Sequence, residues 1–204
     1  MRKKLTKNKG FSLIELLIAM SITLVLMGLA TTLFSGALST RKRESRKTDA
    51  LTSARAALSA ISRELSNSGY GMTTNGIVTT DSGAQKIHFR ANLTNDDYST
   101  DSVGEDVTYF FDSATQSIVR YDPNTTPQTS VIVNRISNVS FAYFDYTGSS
   151  STPTTPATPT NDTGRVRITV TVKLEEVIGQ PKNQTITFAT DVTLRNSTYM
   201  LNQY

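Results

Sequence analysis

The chain has 204 residues, a formal net charge of +4, and neither cysteine nor tryptophan. Without cysteine, thiol catalysis, thiolate metal sites and disulfides are excluded, so an exported domain would rest on its apolar core alone. The charge excludes more than its sign suggests. Residues 1–10 hold five of the 21 basic residues and no acid, and the rest carries −1. No basic stripe with interleaved aromatics follows, so no nucleic-acid partner is expected.

The N-terminus is the most informative stretch. Arg2, Lys3, Lys4, Lys7 and Lys9 precede Gly10, and an apolar run then extends from Phe11 to Phe34, interrupted by one acid, Glu15. About 24 residues of helix suffice to cross a hydrocarbon core. The basic leader would hold the N-terminus on the cytoplasmic side. Gly10 offers a peptidase a backbone with no side chain to clear. A secretory leader is cut after its apolar segment. Here the small residue lies before it, so the apolar run would survive processing as the new N-terminus. A carboxylate one turn into hydrocarbon costs a few kcal/mol unless paired or neutralised. The nearest cation for Glu15 after such a cut is the α-amine of Phe11, on its own chain or a neighbour's.

The sequence Lys9-Gly10-Phe11-Ser12-Leu13-Ile14-Glu15 resembles the class III signal of the type IV pilin family, minor pilins and type II secretion pseudopilins included. The resemblance implies cleavage after Gly10 by a prepilin peptidase and N-methylation of Phe11. It also implies a role for Glu15 in assembly, through the amine of an adjacent subunit. Other pilin or pseudopilin subunits and the inner membrane are the implied partners. The implied localisation is a single pass with the N-terminus cytoplasmic, followed by a pilus at the cell surface or a periplasmic pseudopilus. Retention of Glu15 argues against the family's tip pseudopilin, which typically lacks it.

A second basic cluster, Arg41, Lys42, Arg43, Arg46 and Lys47, lies beyond the apolar run. A solvated helix face, contact with anionic headgroups and pairing with acids of neighbouring subunits all suit it. It weakens the charge-bias argument for orientation, which then leans on the resemblance. No proline interrupts residues 35–66, and Leu51, Ala54, Leu58, Ile61 and Leu65 fall on one helical face. The spacing predicts a helix from about Leu13 to Ser66, roughly 80 Å long, closed by Asn67-Ser68-Gly69-Tyr70-Gly71. The stripe is short for a coiled coil. With strands following, it reads as the face that docks on a sheet.

Beyond Gly71 the period changes from 3.6 to 2. Strands are predicted over Ile77–Thr80, Lys86–Arg90, Val107–Phe111, Ser117–Tyr121, Val131–Ile136, Val139–Tyr146, Arg165–Leu174 and Thr185–Leu194. The last two alternate most cleanly and would form a hairpin. Between Tyr146 and Arg165, the Ser/Thr/Pro-rich residues 147–164 offer almost nothing to bury and read as a mobile loop, either a tolerated insertion or a displayed, glycosylated element. The domain division is therefore a leader (1–10), a transmembrane helix half (11–34), an amphipathic helix half (35–70) and a β-rich globular domain (71–204). The expected fold class is α+β, type IV pilin-like.

Other candidates for chemistry are sparse. His88, the only histidine, would share a strand's polar face with Lys86 and Arg90, and no second imidazole or thiolate accompanies it. Asn95, Asp96, Asp97, Asp101, Glu105 and Asp106 form an acidic loop that could recruit calcium, but without the spacing or glycine of an EF-hand. It reads as a solvated loop. Tyr121, Tyr143, Phe144 and Tyr146 fit strand positions. No catalytic triad, phosphate loop or zinc motif is present. No metal, cofactor or enzymatic activity is expected.

Within the family, Ile61–Gly71 and Val139–Asp145 look like the helix end and late sheet of the W-type minor pilins and, for the sheet, also of the J-type pseudopilins. The reading favours a minor pilin, with a J-type pseudopilin or a pilus-borne adhesin as alternatives. The absence of any proline before Pro123, and of cysteine, speaks against a bulk major subunit.

Overall fold

A computed structural model describes residues 10–95, 99–147, 151–174, 176 and 181–203. Helix α1 spans Leu13–Leu65 without a break, about 80 Å at 1.5 Å per residue. No proline interrupts it. It ends where the Ser66 N–H bonds back to the Ser62 carbonyl at 2.9 Å and the chain turns into a glycine-rich corner. That corner is too tight for side chains. Gly76 has φ +77°, and a Cβ there would lie 2.2 Å from the backbone nitrogen of Gly69.

Two antiparallel sheets follow. The first is a four-stranded meander, β1 (Lys86–Arg90), β2 (Asp106–Asp112), β3 (Ser117–Tyr121) and β4 (Thr129–Asn134). The second contains β5 (Ile136–Asp145), β6 (Thr163–Lys173) and β7 (Thr185–Thr193) in that order. A four-residue helix α2 (Thr198–Leu201) closes the chain, capped by the Ser197 side chain.

The α+β architecture expected from the sequence is present: the long helix packs on antiparallel strands. Ala54, Ala57, Leu58, Ile61 and Leu65 are buried against both sheets. Ile87, Phe89, Val107, Tyr109 and Ile118 come from the first sheet, and Val139, Phe141, Tyr143, Val166, Ile168 and Val170 from the second. The alternation in β6 buries Val166, Ile168, Val170 and Val172 and leaves the intervening residues on the outer face.

Two predicted strands differ. Ile77 makes only an isolated bridge to Phe89, and Thr79–Asp81 is a 3-10 turn. The predicted Val131–Ile136 strand is divided at Arg135, where φ is +62°. Few non-glycine residues adopt that conformation. There the chain leaves the first sheet for the second, with the Arg135 carbonyl accepting from the Lys173 N–H at 2.9 Å.

The segment expected to be mobile, residues 147–164, is tied back along its described part. Thr154 and Asp145 exchange backbone bonds, the Tyr146 N–H donates to the Asp162 carbonyl, and residues 163–164 already belong to β6. Buried Asn75 donates to the carbonyls of Thr160, Asn161 and Thr163, while the Thr160 and Thr163 hydroxyls donate to Asp145. With so few apolar side chains, polar latches from Asn75 and Asp145 replace a core for this segment.

Candidate functional site

At the start of α1, Ser12 is the N-cap, and Glu15 is the third helical residue. The first N–H groups of a helix have no partner inside it, and negative charge is favourable there. Glu15 answers both needs: its Oε2 accepts from the Ser12 N–H at 3.0 Å. The other carboxylate oxygen has no partner among the described residues. Gly10 and Phe11 precede the helix without regular structure, and Phe11 is 89% exposed. The leader's basic residues, Arg2 to Lys9, lie outside the described residues.

From Leu13 to Phe34 every residue of the helix is exposed among the described residues. Leu16, Leu17, Ile18, Leu24, Val25 and Leu29 are all more than half exposed, and the apolar face goes all the way round. Helix α1 is long and apolar enough to cross a membrane, and its most apolar window, mean hydropathy 2.4, is wholly unburied. Its polar side chains are adapted to the same surroundings. The hydroxyls of Ser21, Thr23 and Thr31 donate to the carbonyls of Leu17, Ala19 and Met27 at 2.7–2.9 Å. A hydroxyl satisfied within its own helix can enter hydrocarbon without leaving an orphaned donor. Sequence reading missed this, although Ser and Thr within an apolar helical run were its visible signal.

The second basic cluster is divided. Arg43 donates to the Gln184 side chain at 3.1 Å and Arg46 to the Glu176 carbonyl at 3.2 Å, so both brace the β domain. The sequence had offered a solvated face, lipid or neighbouring subunits for them. Contacts over more than a hundred residues of separation carry no local signal.

The remaining candidates are structural ties. Each ring nitrogen of His88 faces a carboxylate, Asp81 at 2.9 Å and Asp106 at 2.6 Å. Arg90 and Lys86 complete the cluster, and the hydrogen bond from Lys86 holds the Asp81 carboxyl below the ordinary carboxylate range.

The acidic loop departs from the solvated reading at Glu105, which is 1% exposed. Burial pushes its carboxyl up. The N–H groups of Thr94 and Ser102 and the Thr94 hydroxyl, at 2.8–3.0 Å, together outweigh burial and hold it below the carboxylate range. Asp101 is exposed, and Asp96 and Asp97 lie outside the described residues. Among the described residues no three carboxylates or imidazoles converge as a metal site.

The aromatics sit on both faces of β5. Tyr143 is buried, with its hydroxyl donating to the Gly83 carbonyl at 2.8 Å. Phe144 lies outside under Arg165, at 4.2 Å, and Tyr146 stacks on Tyr199.

A β-rich domain docked on the outer half of a helix, whose inner half is exposed among the described residues and apolar enough to cross a membrane, defines an α+β subunit with an N-terminal candidate membrane span. Its N-terminal segment is specific: residues 5–31 match the family model of the prokaryotic N-terminal methylation motif. The chain thus carries the signature of the type IV pilins and pseudopilins. No curated protein and no solved structure matches it.

Proposed function

We propose that the protein is a minor type IV pilin that enters or primes a pilus after cleavage between Gly10 and Phe11. The observation that carries this reading is the all-round apolar helix half, unburied in its own chain, with a single acid in its first turn. Such a surface needs lipid before assembly and other helices after it. Residues 1–10 are then the leader, 11–34 the membrane and filament half of the helix, 35–70 the helix half carrying the domain, and 71–204 the displayed domain. The N-terminus is cytoplasmic before extraction.

Cleavage would place a new α-amine on Phe11, one residue before the N–H that Glu15 already engages. In the isolated subunit Glu15 caps its own helix. Beside a neighbour, its unpartnered oxygen is available to that neighbour's Phe11 amine, N-methylated or not. This charge pairing fixes the axial register between subunits, because a carboxylate in hydrocarbon is tolerated only where a cation meets it. The family's subunits are structural, and no enzymatic role is assigned.

Deletion of the gene tests the reading, with surface pili and twitching scored beside type II secretion of an exported enzyme. Loss of pili with secretion intact supports it. Loss of secretion alone moves the protein to the J-type pseudopilins, whose periplasmic filament would use the same helix. Normal pili with reduced adherence favours an adhesin role for the outer domain, residues 147–164 included. Gly10→Glu should leave the chain uncleaved, visible as a heavier band on a gel. Glu15→Ala should leave cleavage intact and sharply reduce incorporation into filaments.

A further inference from the structure

The outer half of α1 and strand β7 bound a cleft of about 1250 Å³. Residues 188–193, six in succession, line it, so the cleft runs along the strand's edge rather than over one face. β7 has β6 on one side and, among the described residues, no strand on the other. The Leu194 N–H bonds to the Gly164 carbonyl and the Leu174 N–H to the Gln184 carbonyl. With the regular β6–β7 register, even-numbered residues of β7 therefore exchange bonds with β6. The N–H and C=O groups of Thr187, Ala189, Asp191 and Thr193 therefore point away from β6, and the last three of these residues line the cleft. Among the described residues nothing pairs with them. The ladder on this side begins just beyond the strand, where the Arg195 N–H donates to the Ser66 carbonyl at 3.3 Å, and then stops.

Open edges are ordinarily blunted by lysine, proline, a bulge or a covering element. The outward residues of β7 include neither lysine nor proline, and no bulge interrupts its pairing with β6. The walls offer two further features. Leu58, Phe188 and Val192 give an apolar floor. Arg55, Arg63 and Arg195 also line the cleft, exposed and without a carboxylate partner among the described residues. Its acid, Asp191, is already held by Arg167 at 2.6 Å.

We infer that this cleft receives an extended, carboxylate-bearing segment of a partner protein, which adds to β7 as a fourth strand of the second sheet. Backbone pairing to four alternate residues supplies the docking, and the three arginines select for acid. A second copy of this chain is disfavoured as occupant, since edge-to-edge pairing would bring two such arginine sets together. The inference is independent of whether a pilus or a secretion machine uses the protein.

The test uses the full processed chain in detergent micelles. The probe is a nonapeptide alternating glutamate with valine, compared with its twin carrying lysine for glutamate. Amide hydrogen exchange should slow at least tenfold at Thr187, Ala189, Asp191 and Thr193 with the glutamate peptide and not with its twin. Ala189→Pro removes one outward N–H without touching a bond to β6, and should weaken binding at least tenfold. The triple charge reversal R55E/R63E/R195E, confined to exposed side chains, should invert the preference between the peptides and decides the matter if Ala189→Pro fails to fold. Three results overturn the inference: no alternate protection at millimolar glutamate peptide, equal protection by both peptides, or protection of the same amides by self-association without peptide.

Discussion

The two halves of α1 share one helix and one apolar chemistry, yet they solve opposite problems. In the outer half, Ala54, Leu58, Ile61 and Leu65 form a stripe that the chain's own sheets bury, while Arg55, Ser59 and Arg63 stay wet. In the inner half, Leu16, Ile18, Leu24 and Leu29 point all round the axis and none of the described residues covers them. Width of the apolar surface, rather than its strength, separates the roles. A stripe is satisfied by one neighbour, whereas a full cylinder requires a surrounding medium or a bundle.

Substitution should break the symmetry between the halves. Ile61→Ala, at a site with no exposure, should cost the β domain about 2–5 kcal/mol. Leu24→Ala, equally large a truncation, should leave the domain's melting in detergent unchanged. Comparable losses from both would show that the inner half is docked in solution.

The helix is also tied to the first sheet by charge. Glu64 accepts from Arg120 at 3.0 Å and from the Tyr109 hydroxyl at 2.9 Å, and Arg120 reaches Asp122, which is completely buried. Burial, with the Glu64 charge beside it, raises the Tyr109 phenol well above its ordinary range. Arg120→Met should cost about 1.5–3 kcal/mol, because Glu64 and Asp122 both lose their cation, although the Gly104 and Asn124 N–H groups still donate to Asp122. Chemical denaturation checks this, with a lower midpoint and an unchanged slope expected.

Glu105 tests a tie within the domain, away from the helix. Its folded carboxyl is held below the ordinary carboxylate value of 4.5. Its contribution is therefore complete above pH 4.5 and is lost as pH falls through the lower, folded value. Glu105→Gln should cost about 1–2 kcal/mol at neutral pH and flatten the acid limb of the stability profile. An unchanged acid limb would sink this assignment. The smallest effect belongs to Arg167→Ala. Its pair with Asp191 lies on the exposed outer face of the second sheet, where water and salt screen it, so its removal should barely move the denaturation midpoint, and any change should vanish in high salt.

Local chemistry made much of this legible. The helix was expected from about Leu13 to Ser66 and runs Leu13–Leu65, because the absence of proline and a glycine corner are local facts. β1 and β3 coincide with their predicted bounds, since alternation is also local. The failures are equally instructive. Ile77–Thr80 has the composition of a strand, but its chain turns after one bridge. Val131–Ile136 reads as continuous, yet Arg135 sends it from one sheet to another. Residues 147–164 carry too few apolar side chains to build a core and therefore read as a mobile loop. Asn75, some 85 residues away, supplies the bonds instead.

The sequence alone determined the apolar cylinder and its lone acid, the docking stripe, the period-2 strands and the processing signature, because each is written in neighbouring residues or a fixed period. Tertiary structure decided the division into two sheets, the burial of Glu105, the Arg43 and Arg46 braces and the open edge of β7. Those depend on which distant backbone groups find partners, and a pairing rule that spans a hundred residues leaves no local trace.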